Sequence, residues 1–139
     1  MSVPDNVSAR ASAVVQRQVD WSDTDAAGHY HNSTVIRWVE AAEAVLLDRL
    51  ELLDLYRAMP RVHYEVDYLC PLYFQEIVDV TIWIETVGRT SVRYAFHVRR
   101  GEALAVRGTM VAVKSDPNVG GSEPWKDSER ATLEHAAEG

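Results

Sequence analysis

Residues 21–50 read WSDTDAAGHYHNSTVIRWVEAAEAVLLDRL. In the second half of this stretch Val35, Ile36, Trp38, Val39, Ala42, Val45, Leu46 and Leu50 recur at helical spacing. That period predicts one helix of about five turns over residues 33–50. The first half is a polar junction holding Asp23, Asp25, Gly28, His29, His31 and Asn32. Asn32 or Ser33 suits the N-cap, because either side chain can accept a bond from a free N–H of the first turn. A carboxylate facing such a helix end has an anion-stabilising surface opposite it, a workable kit for attack on a carbonyl carbon.

Working outward, Ala13–Trp21 is strand-like, with Val14, Val15 and Val19 among polar residues. Downstream, ELLDLYRAMP predicts a short helical or irregular connection ending before Pro60. RVHYEVDYLC alternates, placing Val62, Tyr64, Val66 and Tyr68 on one face and His63, Glu65 and Asp67 on the other. VDVTIWIET sets Val78, Val80, Ile82 and Ile84 on one face, and SVRYAFHVR repeats the pattern with Val92, Tyr94, Phe96 and Val98. ALAVRGTMVAVK is the last strand, with Gly108 at a bulge or a close approach. The expected fold class is α+β, a curled antiparallel sheet wrapped around one long helix.

The chain has 139 residues, enough for one domain with a real core. No apolar run approaches the roughly 20 residues of a membrane span, and the N-terminus carries no signal-like apolar core. One cysteine, Cys70, excludes an internal disulfide. These features make the cytoplasm the expected location. The formal charge of −7 argues against nucleic-acid partners. Within the strand-rich stretch, Arg89, Arg93, Arg99, Arg100 and Arg107 are candidates for a basic patch facing phosphates. Residues 1–11 are expected to form a flexible arm, 12–114 the folded domain, and 115–139 a polar, acidic, disordered tail with at most a frayed helix from Ser128.

Asp-x-Asp-x-x-Gly-His (Asp23, Asp25, Gly28, His29) followed by Arg37, Trp38 and Glu40 on the helix resembles the 4-hydroxybenzoyl-CoA thioesterase branch of the hotdog-fold family. The resemblance covers roughly residues 12–114. It implies a hotdog fold, hydrolysis of acyl-CoA or acyl-carrier-protein thioesters without a cofactor, and a homodimer or homotetramer with a continuous sheet and interfacial sites. In that branch the second acidic residue of the motif is the catalytic carboxylate, here Asp25. The residue four positions after the glycine supplies a backbone N–H to the thioester oxygen, here Asn32. The run His29-Tyr30-His31-Asn32 departs from the Val-Asn-Asn or Val-Tyr-Tyr/His of many relatives, and the imidazole of His31 becomes a candidate to orient the water or the thioester. Gly28 and His29, with Arg89, Arg93 and Arg99 toward the CoA phosphates, complete the substrate-binding set.

Other readings of the same residues are a turn or cap role for Asp25, an Asp-x-Asp magnesium site, and zinc bound by His29 and His31. The sequence offers no remaining ligand set for either metal, so no metal is expected. Asp23 is assigned to the scaffold, Glu43 to a solvated charge, Glu40 to a structural role, and Cys70 to a buried strand end. The rival functions are a hotdog-fold enoyl-thioester hydratase or dehydratase using His29 or His31, and a non-catalytic acyl-CoA-binding protein.

Overall fold

The computed structural model describes residues 12–23 and 32–138, with the backbone alone for residues 32 and 33. Five strands form one antiparallel sheet: β1 (Ser12–Gln18), β2 (Arg61–Tyr68), β3 (Ile77–Val87), β4 (Ser91–Arg100) and β5 (Ala103–Val113). Their spatial order is β1-β3-β4-β5-β2. Helix α1 (Asn32–Arg49) lies against β1 and β3, and short 3₁₀ turns occupy Trp21–Asp23 and Leu53–Ala58. The hotdog fold expected from the sequence is the fold observed, with the curled sheet about α1.

The alternations read from β3 and β4 are real. Val78, Val80, Ile82, Ile84, Val92, Tyr94, Phe96 and Val98 all lie in one core with Val35, Trp38, Val39, Ala42, Leu46 and Leu47 of α1. Burying apolar area at roughly 25 cal/mol per Å² makes this contact the main driving force of the fold. Gly108 is a close approach rather than a bulge. A Cβ there would sit 2.1 Å from the Glu65 carbonyl oxygen and 2.7 Å from Phe96 Cζ.

Three expectations are overturned. The alternation of β2 breaks at a register shift between Arg61 and His63, so Val62 faces out and is 59% exposed. Arg61 turns inward in its place. There it meets Glu43, which is fully buried rather than solvated and accepts from Arg61 Nε at 2.9 Å and from Nη2. Burial pushes the Glu43 carboxyl up, against the opposing pull of Arg61.

The third correction concerns the tail. Residues 127–138 form helix α2 (Asp127–Glu138), which packs on β3. Leu133 and Ala136 on α2, with Trp125 just before it, enter the same core as α1. The Trp125 indole N–H donates to the carbonyls of Gly88 and Ser91, and Lys114 Nζ donates to Glu129 at 2.7 Å. Tail composition is polar, yet these few apolar residues converge on one side once the helix forms, which an average over the segment conceals.

Candidate functional site

Asp25, Gly28, His29 and His31, and the side chain of Asn32, lie outside the described residues. What the structure defines is the frame that holds them. α1 begins at Asn32, so the backbone N–H groups of its first turn are free of intrahelical partners and mark the positive end of its dipole. The chain before the junction ends in the Trp21–Asp23 turn.

Asp23 ties these two ends together. Its Oδ2 accepts from the Asp20 N–H at 2.9 Å. Its Oδ1 accepts from Arg37 Nη2 at 3.1 Å and from Thr34 Oγ1 at 3.5 Å. Thr34 also accepts from Arg37 at 3.4 Å, as neighbours three apart on a helix can. The Asp23 carboxylate is buried while the Arg37 side chain is 60% exposed. Residues 24–31 therefore span two anchors fixed to each other. Sequence reasoning misses Arg37 and Thr34 as tethers; the available signal is their three-residue spacing on α1, following the acidic turn.

The same end of the molecule is locked from a second side. Val19 N–H donates to the Glu76 carbonyl and Gln75 N–H donates back to the Val19 carbonyl, both at 2.8 Å. Gln75 adopts φ 75°, a left-handed conformation that this two-way bond holds in place. Phe74 meets Trp21 edge to face, ring centroids 5.4 Å apart. Arg100 Nη1 donates to Glu76 Oε2 at 3.1 Å and to the Pro71 carbonyl at 3.4 Å.

The three phosphate candidates do not gather. Arg99 lies near the end of β4 opposite Asp79 and donates to the Glu102 carbonyl. Arg89 lies in the β3–β4 turn at the other end of the hairpin, where its carbonyl accepts from the Trp125 N–H and Arg130. Ten strand residues separate those ends by roughly 33 Å. Arg93 projects from the sheet face away from α1 and holds Glu85 at 2.9 Å.

Along α1, Glu40 accepts from the Tyr64 hydroxyl at 3.0 Å. Burial and the neighbouring Glu40 charge push the Tyr64 phenol up, keeping it a neutral donor. Glu40 is thereby engaged in holding β2 to α1. Cys70 is half-buried, and its thiol contacts the Leu104 carbonyl at 3.7 Å. No helix among the described residues is long and apolar enough to cross a membrane.

Known proteins share this architecture. A predicted thioesterase from Bacillus stearothermophilus is 29% identical, with a TM-score of 0.82 over 91% of this chain and 96% of that one. A thioesterase from Thermus thermophilus, solved with coenzyme A and zinc, is 24% identical with a TM-score of 0.82, covering 91% of this chain and 95% of its own. A 1,4-dihydroxy-2-naphthoyl-CoA thioesterase from Synechocystis shares the fold at 18% identity and TM-score 0.77, covering 88% of this chain and 95% of its own. No curated protein matches the sequence. The model of the thioesterase-like superfamily matches residues 19–129, from the end of β1 into α2. The chain belongs to the thioesterase-like superfamily.

Proposed function

We propose that the protein hydrolyses the thioester of an acyl-CoA or acyl-carrier protein, releasing a carboxylic acid and a thiol. The observation that carries this reading is the start of α1 at Asn32, seven residues after Asp25, with the intervening segment anchored at both ends by the Asp23–Arg37–Thr34 cluster. In this mechanism the thioester carbonyl lies at the helix end and its oxygen accepts from the Asn32 N–H. One such donor is worth about 10²–10³ in turnover. Asp25 either attacks the carbonyl carbon, expelling the thiolate and leaving a mixed anhydride that water then hydrolyses, or takes a proton from a water that attacks directly; His31 orients that water or the thioester. Gly28 and His29 shape the segment around the acyl group.

The assembly proposed for this activity is a homodimer formed along β2. This strand is at the sheet edge, with β5 on one side and no strand among the described residues on the other. Val62, Tyr68 and Leu69, in and just after it, are 41–59% exposed. An unpaired edge carrying exposed apolar side chains invites pairing with another strand.

The test is thiol release from a panel of acyl-CoAs, comparing the native protein with Asp25→Asn. Turnover should fall by about 10²–10⁴, the range for loss of a positioned acid–base group, with KM changed much less. An Asp25→Asn protein keeping more than about a tenth of native turnover, beside an inactive Glu40→Gln, would move the chemistry to the helix carboxylate.

A further inference from the structure

Trp21 is 70% exposed and Phe74 43%, yet their rings meet edge to face, centroids 5.4 Å apart and planes at 82°. Tyr73 and Ile77, next to Phe74 in the chain or close to it, are exposed as well. A pair that leaves this much apolar area in water adds little to folding, because stabilisation follows the area removed from water. Exposed apolar residues gathered in one place mark a surface that binds something.

The backbone beneath the two rings is held at several points. Leu72, fully buried, roots the β2–β3 connection in the core. The Tyr73 N–H donates to Glu76 Oε1 at 2.7 Å, and the Glu76 N–H donates to the Tyr73 carbonyl at 3.1 Å. Gln18 Nε2 donates to the Gln75 carbonyl at 3.3 Å, adding to the two-way bond with Val19. Gln75, directly after Phe74, is thereby kept at φ 75°. Backbone strain of this kind persists only where its surroundings over-determine it, and it clusters at ligand-binding positions. Trp21 is fixed from its own side, since it opens the 3₁₀ turn that ends in buried Asp23. Two exposed aromatic side chains therefore stand on supports that folding has made rigid.

Their position decides what they meet. Asp23, two residues after Trp21, accepts from Thr34 and Arg37 in the first turns of α1, so the rings and the helix start share one end of the molecule. Covalent geometry keeps the Asp25 Cα within about 14 Å of the Trp21 Cα. A thioester held at the helix end has two arms, the acyl group and the thiol arm that leads to phosphate. The charges beside the rings disfavour phosphate: Arg100, the cation bonded to this segment, is already paired with Glu76, and Asp20 next to Trp21 is an exposed acid. Two rings near a right angle offer one flat face and one edge to an uncharged group. Resting on the thioesterase reading above, we propose that Trp21 and Phe74 receive the acyl group and select thioesters whose acyl part is large and uncharged.

The experiment compares kcat/KM for decanoyl-CoA, phenylpropanoyl-CoA and acetyl-CoA in the native protein, Trp21→Ala, Phe74→Ala and Trp21→Phe. Inhibition by free CoA and light-scattering mass are measured on each. Both side chains are exposed, so the variants keep the native thermal transition. The native protein should prefer the two large substrates. Each alanine variant should lower kcat/KM for those two by about 10–100-fold, the effect of one large apolar contact. Acetyl-CoA should change by no more than about twofold, Trp21→Phe should recover most of the loss, and CoA inhibition should not move. Equal losses on all three substrates, or weaker inhibition by CoA, would overturn the assignment in favour of the thiol arm. A fall in mass would overturn it in favour of a contact between protein chains. A native protein that releases thiol from none of them would overturn the hydrolase reading instead. The pair is then judged by calorimetric titration of decanoate and phenylpropanoate: binding at least about tenfold weaker in the alanine variants supports it, and equal or absent binding overturns it too.

Discussion

Arg37 Nη2 donates to Asp23 Oδ1 at 3.1 Å, a bond that joins the first turns of α1 to the 3₁₀ turn that precedes that helix in the chain. The two partners are unequal. Asp23 is buried and also accepts from the Asp20 N–H, while most of Arg37 is in solvent. Removing the exposed partner should therefore cost little, within the roughly 0–1 kcal/mol typical of exposed pairs. Asp23→Ala strands the Asp20 N–H and Thr34 hydroxyl and should cost about 1–3 kcal/mol. Urea titration of the two variants checks this ordering, and equal losses would show that the pair, not the buried carboxylate, carries the stability. Asp23→Asn should lower turnover less than Asp25→Asn while destabilising more.

The C-terminal helix should prove part of the domain. Leu133 is 1% exposed and belongs to the common core, so Leu133→Ala should cost about 2–5 kcal/mol. Removal of residues 124–139 should cost more, because the backbone carbonyls of Gly88 and Ser91 also lose the Trp125 indole. Thermal denaturation of both proteins is the measurement. An unchanged melting temperature after truncation would return this segment to the status of a tail.

Acid should loosen that helix first. Burial opposes ionisation of Glu129, but bonds from Lys114 and the Lys126 N–H outweigh it and hold the carboxyl below its ordinary 4.5. A folded value below the unfolded one means the contribution is complete above about pH 4.5 and is lost as pH falls through the folded value. Amide exchange over residues 127–138 should accelerate in that window before the strands do. Glu129→Gln should exchange rapidly already at pH 7; if it matches the native protein, Lys114–Glu129 does not anchor the helix.

Arg61 and Glu43 should behave as a unit. Arg61→Met leaves a fully buried carboxylate without its cation and should cost about 3–5 kcal/mol. Replacing both, as Arg61→Met with Glu43→Leu, should recover most of that loss, since paired apolar groups need no desolvation. Chemical denaturation of the single and double variants closes the cycle. A double variant no more stable than Arg61→Met alone would contradict this account.

Gly108→Ala should destabilise by about 1–3 kcal/mol through overpacking. The added methyl meets the Glu65 carbonyl oxygen, a backbone atom that moves only if β2 separates from β5. Because β2 is also the proposed dimer edge, the mass of this variant should fall along with its melting temperature. A fully stable Gly108→Ala would mean that the two strands part easily.

The sequence alone determined what depends on period. Recurrence at helical spacing located α1 to within a residue at each end, and alternation assigned the inward faces of β3 and β4, because both signals lie in neighbouring side chains of one segment. The Asp-x-Asp-x-x-Gly-His run and its helix led to the family for the same reason: its residues are contiguous. What only the tertiary structure decided is where each side chain's partner comes from. Glu43 sits at a position that any surface helix could fill with a solvated acid, until the β2 irregularity swings Arg61 inward to meet it. Arg89 and Arg99 look clustered along the chain, yet an extended hairpin carries them to opposite ends. Trp125, Leu133 and Ala136 are scattered through a polar segment, and only the core they share with β3 and α1 gives them a common place to be buried. Local period is set by backbone geometry, whereas the fate of a charge or a lone apolar residue is set by whatever the fold brings within a few ångströms of it.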